Sequence, residues 1–201
     1  MLIGLGLGPG TPDLLTLRAV RLINEADAVF VPGRIAYNLV LPYRKPVLLG
    51  FPMTDDEDRI TDCLRRNAKT IASAAKQGCA VFGLLGDPNF FSTFSRLCAI
   101  LDSEHPGIHY RTEPGVSAIT AFASAAGISI KGGFTVSDES NPDVRILLKV
   151  RHPRERAEEL RKEGFCEFVL VEKMYFTDMK IYRSDNLPET SDYLSVLYAS
   201  R

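Results

Sequence analysis

"CAVFGLLGDPNFFSTFSRLCAILDSE" spans residues 79–104, and its punctuation decides the fold. The opening run, 79–85, is fully apolar and reads as a strand buried on both faces. Gly86-Asp87-Pro88 stops it. The glycine tolerates any backbone sign, while the proline removes a donor and drives Asp87 out of helical geometry. A helical pattern over 90–104 follows at once. Strand, tight turn and helix in this order form half of a parallel βαβ unit.

The same alternation extends outward. Before it stand apolar strands at 2–7, 28–33 and 46–52. Between them lie a helix beginning near Thr11 or Thr16 and a long helix over 54–78, whose acidic first turn suits the helix dipole. After it come a strand at 108–114 and a small-residue helix at 115–127. This half predicts a mostly parallel sheet with helices on both faces and right-handed connections. The remainder is strand-rich: 134–138, 144–150, 167–174, 180–184 and 193–200, with one helix at 153–164. It predicts a mixed sheet. The expected organisation is therefore an N-terminal α/β lobe, 1–112, and a C-terminal lobe, 113–201. No Gly/Ser-rich linker separates them.

Bulk chemistry narrows the function. The 201 residues are 45% hydrophobic, enough for a sizeable core, and carry 24 basic against 25 acidic side chains. That balance argues against nucleic-acid binding through bulk charge. Cys63, Cys79, Cys98 and Cys166 lack the spacing of a zinc or redox motif; the first three sit in apolar surroundings, so buried thiols there and a reducing compartment are expected. No stretch reaches the length of a bilayer span and no positively charged leader opens the chain, which points to a cytoplasmic, soluble protein. No metal site is expected.

Glycines at 4, 6, 8 and 10 suggest a dinucleotide fingerprint, but Thr11 or Asp13 stands where its third glycine belongs. The acidic residue expected after the second strand is also replaced, by Pro32-Gly33. A phosphate loop is excluded for want of Gly-Lys-Ser/Thr. What remains is exposed backbone at a strand's carboxyl end, the edge where open parallel sheets bind ligands. Gly86-Asp87-Pro88 ends at the same edge. From spacing alone, a pair of ordinary tight turns serves as well as a ligand site.

Three segments read together go further. "GLGPGTPDLLTLRAV" (6–20), "LLGDPNFFSTF" (84–94) and "EPGVSAITAFASAAGI" (113–128) resemble the tetrapyrrole methylase family. The match covers residues 1–128; beyond it, "VLVEKMYFTDMKIYR" (169–183) resembles the family's penultimate hairpin. "NFFSTF" is similar to the group that methylates C20 of precorrin-2 or its cobalt form. The chain departs from the pattern twice. "SIKGGFTVSDESNPD" (129–143) lacks a proline that relatives carry just after the small-residue helix. Leu148 stands where relatives often place a methionine.

The resemblance implies a two-lobed α/β homodimer that binds S-adenosylmethionine between its lobes and methylates a small tetrapyrrole. By position, Pro9, Leu85, Gly86, Asp87, Phe90, Ser117, Ala118, Leu148 and Met174 would contact the donor. Gly86 would bring backbone close to it, Asp87 would bind its ammonium or a ribose hydroxyl, and Phe90 would wall the sulfonium. The alternative reading of Asp87 is a cap for the following helix. The substrate's carboxylates would meet Arg34 and Tyr37, and its ring Ser92 and Thr93; Lys131 is a weaker candidate. No residue is identified as catalytic; His105, His109 and Asp138 are the available proton acceptors. Three other readings stay open: another ring position, diphthine synthase, and a donor-binding module without turnover.

Overall fold

The computed structural model describes residues 1–52, 54, 56–136 and 142–201. The chain divides into two compact units, Met1–Phe134 and Thr135–Arg201. This division by contact density falls after the small-residue helix, whereas composition placed a lobe boundary before it.

In the first unit, β1 (Leu2–Gly6), β2 (Ala28–Val31), β3 (Val47–Leu48), β4 (Ala80–Leu84) and β5 (Tyr110–Glu113) form one sheet. Its order is β3-β2-β4-β1-β5 and every pairing is parallel. Alternate side chains feed two cores. Ile3, Leu5, Val29 and Val31 meet Ala19 and Ile23 of α1 (Leu17–Glu25) and Ala36, Leu39 and Val40 of α2 (Arg34–Val40). Leu2, Phe30, Phe82 and Leu84 meet α3 (Glu57–Gln77) and α4 (Phe94–Glu104). Phe82 stands 6.1 Å from Phe51 and 6.4 Å from Phe94, ring to ring. Burying a side chain of this size contributes roughly 1.5–3 kcal/mol.

Local signals set the helix ends. The Thr16 hydroxyl accepts from the Ala19 amide at 3.0 Å and caps α1; Thr11 instead precedes a short 3₁₀ turn, Pro12–Leu14. Asp56 caps α3 by accepting from the Asp58 and Arg59 amides. The helix α2 fills a segment for which the sequence pattern predicts no element. It has seven residues, too few for a strong periodic signal, and tertiary burial on the sheet holds it. Strand β3 is shorter than expected, Val47–Leu48 only.

The second unit pairs β6 (Val144–Leu148), β7 (Glu167–Glu172), β8 (Lys180–Arg183) and β9 (Ser195–Ser200) in the order β6-β9-β7-β8. All these pairings are antiparallel, where a mixed sheet was expected. The helix α6 (Pro153–Lys162) covers one face through Ala157 and Leu160. The strand expected over 134–138 does not form at 134–136, and residues 137–141 lie outside the described residues. Among the described residues, no helix is long and apolar enough to cross a membrane.

Candidate functional site

Strands β4, β1 and β5 are neighbours, so their carboxyl-end loops leave the sheet side by side. The loops are locked to one another by backbone. Gly86 donates its amide to the Gly8 carbonyl at 2.8 Å, and Gly8 donates to Gly86 at 3.3 Å. Both glycines have φ +71°, a left-handed geometry that side chains resist. The β5 loop presses in from the other side. A Cβ on Gly6 would lie 2.3 Å from the Gly115 nitrogen, and one on Gly115 would lie 2.3 Å from the Gly86 oxygen. Three main chains thus meet at a spot with no room for a methyl group.

Asp87 fastens this junction. It is 8% exposed. Its Oδ1 accepts from the Asn89 amide at 2.9 Å and from Asn89 Nδ2 at 3.3 Å. Its Oδ2 accepts from the Gly115 amide at 3.2 Å. Asp87 therefore shapes its own turn and ties it to the β5 loop, and it does not cap α4. Ser92 does so instead, through a hydroxyl that donates to the Pro88 carbonyl at 2.5 Å and accepts from the Phe94 amide at 3.2 Å. Thr93, at the N-cap position, makes no capping bond and is exposed.

Beside the junction, α5 (Ala118–Ala126) begins with Ser117, whose hydroxyl accepts from the Ile119 amide at 3.2 Å. An apolar crevice of about 830 Å³ runs between this helix and the β1 loop. Pro9, Leu14, Val116, Ala118, Phe122 and Ala125 line it. A Cβ on Gly86 would come to 4.0 Å from the Ala118 nitrogen. The structure thus brings Pro9, Gly86, Asp87, Ser117 and Ala118 together. Leu85 and Phe90 flank the β4 turn and are 41% and 44% exposed.

Arg34 and Tyr37 open α2 at the carboxyl end of β2, on the same sheet edge. The Arg34 guanidinium sits 5.7 Å from the Tyr37 ring centroid. Leu148 ends β6 and Met174 follows β7; both are exposed residues of the second unit. Lys131 is exposed in the segment after α5. His105 and His109 lie at the opposite, amino-terminal edge: His105 caps the end of α4 and the His109 carbonyl accepts from Leu2. That placement removes both as proton acceptors for chemistry at the loop edge. Asp138 lies outside the described residues.

This arrangement of strand-end glycine loops around one crevice agrees with a match to the family model for Tetrapyrrole (Corrin/Porphyrin) Methylases over residues 1–191. The chain belongs to that family. It is accordingly a methyltransferase. Among similar curated proteins is the "Probable cobalt-precorrin-2 C(20)-methyltransferase" of Methanocaldococcus jannaschii, 26% identical over 98% of this chain and 95% of that protein. The "Precorrin-2 C(20)-methyltransferase" of Sinorhizobium sp is 31% identical over 66% of this chain and 60% of the relative. A "Siroheme synthase" of Nitrosomonas eutropha is 34% identical over 62% of this chain but only 26% of its own length. Among solved structures, the methyltransferase CobJ superposes with a TM-score of 0.52 at 23% identity, over 100% of this chain and 93% of that one, and it shares the fold.

Further residues border the candidate site. Leu14, Val116 and Phe122 line the crevice, and no pattern in the sequence sets them apart from core residues. Glu113, 7% exposed, ends β5 and holds Arg18 of α1 at 3.0 Å as well as Arg111. A carboxylate just ahead of Pro-Gly, two residues after an arginine, was the available signal. A buried carboxylate needs such partners.

Proposed function

We propose that this methyltransferase moves the methyl group of S-adenosylmethionine onto C20 of precorrin-2 or its cobalt form, in cobalamin biosynthesis. The observation that carries the donor site is the backbone junction of Gly8, Gly86 and Gly115 beside the apolar crevice. Its volume lies within the range of small-molecule pockets. Exposed strand-end backbone and a buried, oriented carboxylate suit a compact ligand with hydroxyl and ammonium groups. Pro9, Gly86, Asp87, Ser117 and Ala118 are the residues assigned to hold it. Leu148 and Met174 are assigned on the resemblance alone.

When bound, the donor supplies an electrophilic methyl carbon on a positively charged sulfur that leaves neutral. No strong acid is then required of the protein. The chain's contribution is orientation, which can supply about 7–11 kcal/mol of the barrier. The locked glycine loops fix the floor, Ala118 and Phe122 give an apolar wall, and Arg34 offers a cation for a substrate carboxylate. Regiochemistry at C20 is supported by the names of two similar relatives and by "NFFSTF". The similarity to siroheme synthase favours a second reading, methylation at another ring carbon. A cytoplasmic homodimer is part of the proposal.

The test is incubation with methyl-¹³C donor and either precorrin-2 or cobalt-factor II, followed by carbon NMR of the macrocycle. Label at C20 is expected. Label at another carbon would support the second reading, and donor binding without transfer would overturn both.

A further inference from the structure

Phe91 has an unusual backbone. Its φ is +49°, in the left-handed region that bulky residues avoid. It is also 67% exposed. A large apolar side chain is thus held in water at a conformational cost, and neither term favours the fold. The neighbours show how it is held. Pro88 and Ser92 bracket the turn through the Ser92 hydroxyl and the Pro88 carbonyl, and Phe94 returns the chain to the core as the first residue of α4. Phe94 is 3% exposed and packs against Phe82, while Phe91 has no ring partner among the described residues. Phe90, 44% exposed, stands next to it. This turn follows Asp87 directly, at the carboxyl end of β4 and close to the Gly8–Gly86 lock. Backbone strain of this kind persists where surrounding contacts enforce it and concentrates at ligand-contacting turns.

We propose that Phe91 is a substrate-contacting, specificity-determining residue: its ring offers a flat apolar surface to one face of the macrocycle. This rests on the reading above that the substrate is a tetrapyrrole. Such a substrate carries its carboxylates at the rim and is apolar over its conjugated face, so a recognition site needs an aromatic platform as well as cations. The Ser92 hydroxyl, assigned from sequence to the substrate, is engaged within the turn and acts by positioning Phe91.

The test compares wild type with Phe91→Gly and Phe91→Trp. Glycine removes the ring and relieves the left-handed strain; tryptophan keeps an aromatic face. Binding of cobalt-factor II is read by absorbance, S-adenosylhomocysteine binding by calorimetry, folding by melting temperature, and mass by light scattering. Phe91→Gly is expected to bind the macrocycle roughly fivefold to tenfold more weakly. Its donor-product affinity and mass should be unchanged and its melting temperature equal or higher; Phe91→Trp should bind within about twofold of wild type. Equal macrocycle affinity in all three proteins, no macrocycle binding by wild type, or loss of a dimer in Phe91→Gly would each overturn the proposal. Macrocycle binding that depends on Phe91 but yields no methyl transfer would instead refute the methyl-transfer reading and leave Phe91's role standing.

Discussion

The Gly115 amide donates to Asp87 Oδ2 at 3.2 Å, joining residues 28 positions apart and two different strand-end loops. Asp87→Asn replaces one of two accepting oxygens with an NH2 group in a carboxylate site where three donors converge, so at least one contact must be lost or turned. A cost of about 1–3 kcal/mol in urea unfolding is expected. S-adenosylhomocysteine affinity by calorimetry should fall about tenfold, equivalent to roughly 1.4 kcal/mol. Wild-type values for both would show the bond to be dispensable.

Gly115→Ala tests the crowding directly. The added Cβ would sit 2.3 Å from the Gly86 oxygen and 2.7 Å from the Gly6 carbonyl carbon, both main chain. Overpacking against backbone that cannot move aside should cost about 2–3 kcal/mol. Gly50→Ala is the control: a Cβ there meets nothing within 4 Å. It should change stability by no more than about 0.5 kcal/mol.

Ala118→Leu separates crevice from core. Ala118 is the first residue of α5, lines the crevice and is exposed. Leucine is a good helix former, so stability should hold within about 0.5 kcal/mol. Its added bulk fills the crevice, and S-adenosylhomocysteine affinity should drop by at least about tenfold. Unchanged affinity would place the ligand elsewhere.

The cysteines make a pH prediction. Burial, with Asp102 adding, pushes the Cys98 thiol from 9.0 up to about 12. Folding therefore favours the neutral thiol. Below the thiol's ordinary value both states keep the proton and the fold carries no penalty, so its stability there is full; as pH rises from 9 toward 12 the unfolded chain loses its thiol proton while the folded one keeps it, so the fold loses stability across that window. At pH 8, iodoacetamide followed by peptide mass spectrometry should modify exposed Cys166 first and leave Cys98 last.

Much of the first unit was legible because its signals are local. Unbroken apolar runs such as 79–85 mark strands buried on both faces, and Thr16 and Asp56 write their caps in the residues that follow. Alternation put the Pro9 and Asp87 loops at one sheet edge, but Ser117 joined them only through the resemblance of the three segments to the methylase family. The contacts among these loops were not legible. Whether Asp87 caps a helix or ties down Gly115 depends on which strand lies next door, and no local pattern encodes that. The helix α2 was lost because packing of Ala36, Leu39 and Val40, not periodicity, sustains it. The antiparallel order of the second sheet was hidden because its connections differ in length and its strands share one composition. His105 and His109 were candidates by chemistry alone; the sheet's direction disqualifies them.

The most direct measurement is a crystal structure of the protein grown with S-adenosylhomocysteine. Density for the ligand beside the Gly8–Gly86 lock, touching Pro9, the Gly86-Asp87 turn and Ala118, is the predicted result. Ligand bound at another surface, or a fully saturated protein whose crevice between Pro9 and α5 stays empty, would contradict it.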